Sequence, residues 1–308
     1  LPESFEPLGG DVSPRTYARA RRSDGAPVIV ASYPEPQRDV FHRFLATTEL
    51  FQSAQLRVPA ILAADEGELR MVLEDVGSRT LYELPERTWE ERLPPYLHAA
   101  DLARRIGELP EAQVRDLNPI LDGAALRREL HQTRDHFWRP QGLLSKSLES
   151  RFEAFLDTLC EHIDQEPRRP CHRDYMVRNL VPISVGTGES ASESSHELAI
   201  LDHQDLRLAP ASYDLASLLN DSHFPPPEVE AAILAHALPE NTDLLSYRRC
   251  AVQRTLKAIG TFAAFAARGF PKHLPLIPPT LGRCLEQMEK LPEGAGVVGE
   301  LRGAVGNS

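Results

Sequence analysis

The 308-residue chain reads as an α+β protein of two lobes, a small antiparallel-sheet N-lobe and a larger, mostly helical C-lobe. Two patterns predict this. Residues 1–78 carry short β-rich runs around a single helical stretch, whereas from residue 79 to 308 long amphipathic helical patterns dominate. A third observation, a polar stretch from Pro170 to Val181 followed by an apolar run ending in Asp202, places the chemistry within the second part.

In the first part, Pro7 to Arg19 reads as a glycine-containing turn and then a strand. Val28-Ile29-Val30-Ala31-Ser32-Tyr33 is β-rich and bounded by Gly25 and Pro34. Asp39 to Ala54 places Val40, Phe41, Phe44, Leu45, Leu50 and Phe51 mostly at helical spacing. Ile61-Leu62, introduced by Pro59, and Leu69 to Leu73 complete the order strand, strand, helix, strand, strand. Later helices are predicted over 89–108, 122–138 with Asp122 as cap, 145–165, 226–237, 246–268 and 274–290, with another after Tyr213. The Gly/Ser-rich run 184–197 reads as a hairpin tip, and the glycine-rich tail from Gly294 as frayed.

Net charge is −11, from 34 basic and 45 acidic side chains, which argues against nucleic acid or an anionic membrane as partner. Cys160, Cys171, Cys250 and Cys284 are widely spaced, so neither a structural zinc site nor a disulfide framework is expected. No apolar run approaches the roughly 20 residues of a membrane span, and Leu1 to Phe5 lacks the pattern of a signal peptide. The default expectation is a cytoplasmic monomer.

The polar stretch contains His172-Arg173-Asp174, with Asn179 five residues beyond the aspartate and Asp202 at the end of Leu198-Ala199-Ile200-Leu201. That order of parts suits phosphoryl transfer. A carboxylate must accept the proton of an attacking hydroxyl, and oxygen ligands must hold Mg²⁺ against nucleotide phosphates. Asp174 is the candidate base, Asn179 and Asp202 are the candidate metal ligands, and His172 and Arg173 support the loop. His-Arg-Asp alone is weak; its combination with the spaced asparagine and the strand-terminal aspartate is far more specific.

The chain resembles the aminoglycoside phosphotransferase and choline kinase family, with its protein-kinase-like fold. It is most similar to the bacterial kinases that phosphorylate N-acetylmuramic acid and N-acetylglucosamine at the anomeric hydroxyl. Four runs carry the resemblance: Gly10 to Arg19, His172 to Leu180, Leu201 to Asp205 with Ala209 to Leu215, and Val252 to Phe262. The resemblance implies ATP and Mg²⁺ as cofactors. It implies a hinge at Glu74 to Val76 that meets adenine through its backbone. It implies a loop from Gly9 to Ser13, with Gly10 and Ser13, closing over the phosphates. It also implies that Asp214 braces the catalytic loop.

One departure is visible. The strand Val28 to Tyr33 has no lysine where typical kinases place a phosphate-binding one. Arg15 or Arg19 is the candidate replacement, since a guanidinium binds phosphate oxygens bidentately. Glu49, the usual partner of that lysine, is then expected at the surface or paired with an arginine. Arg178 and Asp205 are candidate sugar contacts, the alternative being a loop-bracing ion pair. Tyr175 and Tyr213 are expected to pack, and His203 to be a hydrogen-bond partner. For Gln253, Arg254 and Lys257 a solvated helix face is the commoner explanation, the alternative being that one or two of them reach the sugar pocket. The expected activity is ATP-dependent phosphorylation of a small amino sugar. An aminoglycoside, choline-like or other amino-alcohol kinase is the alternative within the enzyme class. A non-catalytic nucleotide-binding protein is the alternative outside it.

Overall fold

The computed structural model of the chain describes residues 6–8, 14–84, 87–184, 196–240 and 242–306. In chain order, strands β1 (Glu6–Leu8), β2 (Thr16–Arg21) and β3 (Pro27–Ser32) precede α1 (Arg38–Ser53), β4 (Ile61–Asp65) and β5 (Arg70–Glu74). Helices α2 (Trp89–Ile106), α3 (Glu111–Leu117), α4 (Gly123–Thr133) and α5 (Lys146–Asp164) lead to β6 (Arg168–Cys171). Then come β7 (Leu180–Ser184), β8 (His196–Ile200), β9 (Arg207–Pro210), α6 (Tyr213–Leu219) and α7 (Pro227–Ala237). The chain continues with α8 (Leu245–Ala267), α9 (Ile277–Glu289) and α10 (Val298–Gly306). No helix among the described residues is long and apolar enough to cross a membrane.

The chain forms two compact units. One comprises residues 1–87 and 178–206, the other 88–177 and 207–308. The sequence reading drew a single cut at residue 78. The compact units interleave instead, because the β7–β8 hairpin belongs with the first unit while β6 and β9 pair within the second.

The first unit is built on a five-stranded sheet of order β1-β2-β3-β5-β4, antiparallel throughout. Alternation along β3 and β5 sends Ala31, Met71 and Leu73 to one face, where they meet Phe41 and Phe44 of α1. β7 and β8 pair in register from Leu180↔Ile200 to Ser184↔His196. Most of the Gly/Ser-rich run read as a hairpin tip lies outside the described residues.

In the second unit the predicted helices are present with shifted ends. The Asp122 side chain caps α4 by accepting the Ala125 N–H at 2.7 Å, and Ser145 caps α5 through the Leu148 N–H at 3.2 Å. Thr88 and Glu91 close α2 with a reciprocal capping box. The stretch read as one helix over 122–138 is α4 followed by a π turn, Arg134–Trp138, in which the Arg139 N–H reaches the Arg134 carbonyl at 3.0 Å. Over its described residues, 294–306, the tail is ordered rather than frayed: Val298 and Leu301, one helical turn apart, bury one face of α10. Its glycines outweighed this short apolar repeat in the sequence reading.

Helix α8, buried along much of its length, organises the second unit. It approaches the end of α4 so closely that a Cβ on Gly260 would lie 2.5 Å from the Thr133 nitrogen. The Thr133 hydroxyl donates to the Leu256 carbonyl at 2.6 Å across the same junction. Gly260→Ala is therefore expected to lower stability by about 1–3 kcal/mol through overpacking. Urea denaturation reads this directly, and an unchanged midpoint would contradict the close approach.

Candidate active site

The first unit contains a cavity of about 460 Å³. The sheet side supplies Tyr17, Arg19, Ile29 and Leu73, the segment after β5 supplies Glu74 to Ser78, and the hairpin region supplies Asn179, Val181, Leu201, Asp202 and His203. Apolar walls with a polar end suit a flat heteroaromatic base carrying a charged tail. The expected hinge, Glu74 to Val76, is on its wall. The Glu74 side chain itself is held in an ion pair with Arg57 and accepts the Ala60 N–H at 3.1 Å. Asp75 is taken by Arg19, at 2.6 Å, and by the Gly77 N–H at 3.0 Å. Burial works to raise the Asp75 pKa, yet these partners hold it below its ordinary value.

Asn179 and Asp202 line the same cavity. The Leu201 N–H donates to the Asn179 carbonyl at 2.8 Å, which ties the two segments together. Asp202 adopts the left-handed conformation, φ 57° and ψ 39°, a placement that Asp tolerates better than most residues. Its Oδ1 accepts from Gln204 Nε2 at 3.0 Å and faces Arg15 Nη2 at 3.3 Å. A carboxylate and an amide oxygen are hard donors. Two such donors on one cavity fit Mg²⁺, which binds through few protein oxygens. No cluster of three or more His, Cys, Asp or Glu groups suited to a metal occurs among the described residues, so an all-protein cage is not formed there.

His203 is fully buried. Its ring lies 4.5 Å from that of Phe44, and Nε2 is 2.8 Å from the Thr48 hydroxyl, so it fastens the turn after Asp202 to α1. Glu49, next to Thr48, faces solvent. Asp205 is half-buried in the single turn His203–Asp205 and is not among the cavity-lining residues. Arg178 lays its guanidinium over the Tyr82 ring, 3.5 Å from the centroid. Gly10 and Ser13 lie outside the described residues.

Of the two arginines considered as replacements for the missing lysine, Arg19 is engaged by Asp75. Arg15 sits beside Asp202 and within 6.0 Å of the ring centroids of Tyr17 and Tyr33. The geometry therefore favours Arg15 over Arg19 as the phosphate contact.

The second unit holds Asp174. The loop that carries it starts at the end of β6 and is braced by α6. The Asp214 carboxylate accepts the backbone N–H groups of His172 at 2.7 Å and Arg173 at 2.9 Å. Burial pushes the Asp214 pKa up, with the His172 interactions and these hydrogen bonds opposing it. Arg173 has φ 76°, a conformation that costs a non-glycine residue about 1–3 kcal/mol and persists only where the surroundings enforce it. Its guanidinium pairs with Glu129 of α4. Tyr175 is buried and donates to the Ala99 carbonyl at 2.7 Å.

Helix α8 turns Gln253, Arg254 and Lys257 inward rather than to the solvated face that the sequence favours. Gln253 and Arg254 are buried, and the Lys257 side chain is only 18 % exposed. Arg254 Nη1 donates to Asp174 Oδ1 at 3.0 Å, and Lys257 Nζ lies 3.7 Å from the same oxygen. Lys257 also stands 3.6 Å from Glu129 Oε1, while Gln253 bonds Glu129 at 3.1 Å and receives the Tyr213 hydroxyl at 3.2 Å. Burial alone would raise the Asp174 pKa. Lys257, Arg254 and Arg173 overcome it and hold the carboxyl far below the usual range. The spacing of Gln253, Arg254 and Lys257 on an otherwise apolar helix was the available signal. What it lacked was a carboxylate partner to which they could be assigned.

The fold defined by these two units is the protein-kinase-like fold. Among solved structures it is similar to the GDP complex of wild-type aminoglycoside 2'-phosphotransferase-IIIa, with a TM-score of 0.65, 14 % identity and 93 % of each chain covered. It is also similar to the choline kinase LicA from Streptococcus pneumoniae, with a TM-score of 0.60, 14 % identity and coverage of 92 % and 93 %. The profile described as "Phosphotransferase enzyme family" matches residues 4–250, and the chain belongs to that family. Curated relatives include an N-acetylmuramate/N-acetylglucosamine kinase of Pseudomonas aeruginosa, 29 % identical over 96 % of this chain and 90 % of the relative. Another, of Neisseria meningitidis and with the same name, is 29 % identical over 87 % and 80 %. The protein is thus an enzyme that transfers a phosphoryl group.

Replacing Arg15 by alanine is expected to raise the nucleotide KM by about tenfold, the scale of one charge-assisted hydrogen bond, with the acceptor KM within twofold. Steady-state kinetics with each substrate varied separately checks this. An unchanged nucleotide KM would remove Arg15 from the phosphate site.

Proposed function

We propose that the protein is an ATP-dependent kinase that phosphorylates the anomeric hydroxyl of an amino sugar, N-acetylmuramic acid or N-acetylglucosamine. The observation that carries this reading is the set of cations gathered on the candidate base, Arg254, Lys257 and Arg173 around Asp174. Such surroundings suit a neutral or anionic acceptor and repel a polycationic antibiotic or a quaternary amine, whose capture calls for acidic or aromatic walls. The names of the curated relatives point to the same acceptor class. The non-catalytic alternative finds no support in the site residues, since Asp174, Asn179 and Asp202 are all present.

In this reading Asn179 and Asp202 would hold Mg²⁺, which when bound would supply positive charge to offset that of the phosphates. Val76 and its neighbours bind the nucleotide base, and Arg15 the phosphates. Asp174 orients the acceptor hydroxyl and receives its proton late, as the new P–O bond forms. A carboxylate with so low a pKa is a weak base, but phosphoryl transfer passes through a loose state in which the hydroxyl becomes acidic only as bonding proceeds. Orientation and electrostatics then supply most of the acceleration. A cytoplasmic location is in keeping with ATP as the phosphoryl donor.

Asp174→Asn is expected to lower kcat by at least about 100-fold, with nucleotide affinity kept within a fewfold. Calorimetry of nucleotide binding beside turnover separates the two effects, and near-normal turnover would exclude Asp174 as the base. Acceptor choice is tested by comparing kcat/KM for N-acetylmuramate and N-acetylglucosamine with that for kanamycin and choline. A preference for either cation would overturn the proposed acceptor.

A further inference from the structure

We propose that Lys257 is a catalytic residue, donating from helix α8 to an equatorial oxygen of the phosphoryl group as it passes to the acceptor. The inference rests on the reading of Asp174 as the base and adds to it a cation for the transferring group, besides Arg15 at the phosphates.

Three observations carry it. First, β3 contains no lysine, so charge on the transferring group has to be met from elsewhere. Second, Lys257 Nζ stands 3.7 Å from the Asp174 oxygen that Arg254 hydrogen-bonds at 3.0 Å. In-line transfer brings phosphorus and the attacking oxygen to roughly 3–3.5 Å before bonding. A hydroxyl hydrogen-bonded to Asp174 therefore places the phosphoryl oxygens within reach of this ammonium. Third, Arg254 and Lys257 are differently committed. Arg254 makes a direct hydrogen bond to the base. Lys257 makes two ion pairs, with Asp174 and with Glu129 at 3.6 Å, both longer than a direct hydrogen bond. Its three N–H donors are poised between two carboxylates rather than fixed on one, which is the state of a cation able to turn to a third anion.

That turn has a consequence for the base. While Lys257 and Arg254 both face Asp174, its proton affinity is at its lowest. As Lys257 moves its charge towards the phosphoryl oxygens, the carboxylate gains basicity just when the acceptor proton must leave. The step is balanced: the acceptor O–H bond and the terminal P–O bond of the nucleotide break. A sugar–phosphate bond forms, the proton passes to Asp174, and the nucleoside diphosphate departs.

The charged groups facing Lys257 are Asp174 and Arg173 from the loop, Glu129 from α4 and Arg254 from α8 itself, with the Tyr213 hydroxyl of α6 behind Gln253. Burial, helped by Arg254 and Arg173, outweighs the two carboxylates and pushes the ammonium down to about 8. As pH rises through that value the ammonium is lost, so kcat/KM for the nucleotide is expected to fall on the alkaline side.

The test uses Lys257→Met, Lys257→Gln and Lys257→Arg in the full chain, with folding checked by thermal melting. The neutral variants are expected to lose about 100-fold in kcat, the scale of one lost transition-state donor, with the acceptor KM within threefold. Lys257→Arg is expected to restore most of kcat and to move the alkaline limb upwards, since a guanidinium stays charged. Independently of any acceptor, wild type is expected to bind MgADP with aluminium fluoride more tightly than MgADP alone, and the neutral variants to lose at least tenfold of that preference. A kcat within threefold and an intact fluoride preference would reduce Lys257 to a brace of the loop. A rise in KM confined to carboxylated acceptors, with kcat unchanged, would overturn the proposal by assigning the anion to the acceptor. If wild type phosphorylates no amino sugar, the proposed function fails, and the fluoride comparison still decides the role of Lys257.

Discussion

A carboxylate drawn partly out of water is stabilised by cations, and at Asp174, whose side chain is 28 % exposed, that constraint shapes the second unit. Arg254 and Lys257 reach it from α8, and Arg173 from its own loop. Those cations need an anchor of their own, which Glu129 of α4 provides. Glu129 in turn is fixed by Gln253, and Gln253 by Tyr213. Helix α8 can take part only because it lies hard against the end of α4 at Gly260. A helix–helix contact far along the sequence from Asp174 thus sets the charge around the candidate base.

The backbone of that loop is fixed by a separate device. Asp214 accepts two consecutive backbone N–H groups and holds Arg173 in its left-handed conformation. In the first unit, Asp202 has the same kind of backbone strain, and the His203 ring behind it is clamped by Thr48 and Phe44. Both polar loops are therefore rigid for the same reason. A buried partner holds each backbone from the following segment or a neighbouring helix, beside the bonds that Gln204 and Arg254 make to the carboxylates themselves.

Much of this was legible in the sequence. The β-rich start, the helical remainder and the motif from His172 through Asn179 to Asp202 are local patterns, and local patterns survive without knowledge of the fold. The frayed tail was misread because glycine content is visible along the chain whereas the burial of Leu301 is a tertiary property. The strand pair β6–β9 went unseen because its four-residue strands are too short to show alternation. For Gln253, Arg254 and Lys257 the sequence favours solvent over the sugar pocket, because polar residues on a helix usually lie there. Only the packing of α8 reveals that they face Asp174 and Glu129. The site was thus readable where one segment carries it, and unreadable where its charges are balanced across segments.

The central claim is that this constellation moves a phosphoryl group onto the anomeric oxygen of an amino sugar. ³¹P NMR of the protein with MgATP and N-acetylmuramic acid or N-acetylglucosamine tests it most directly. The account predicts a new sugar-phosphate resonance coupled to the anomeric proton, growing as the ATP signals decline. A resonance coupled instead to the C6 protons, or phosphate transferred only to kanamycin or choline, would contradict it.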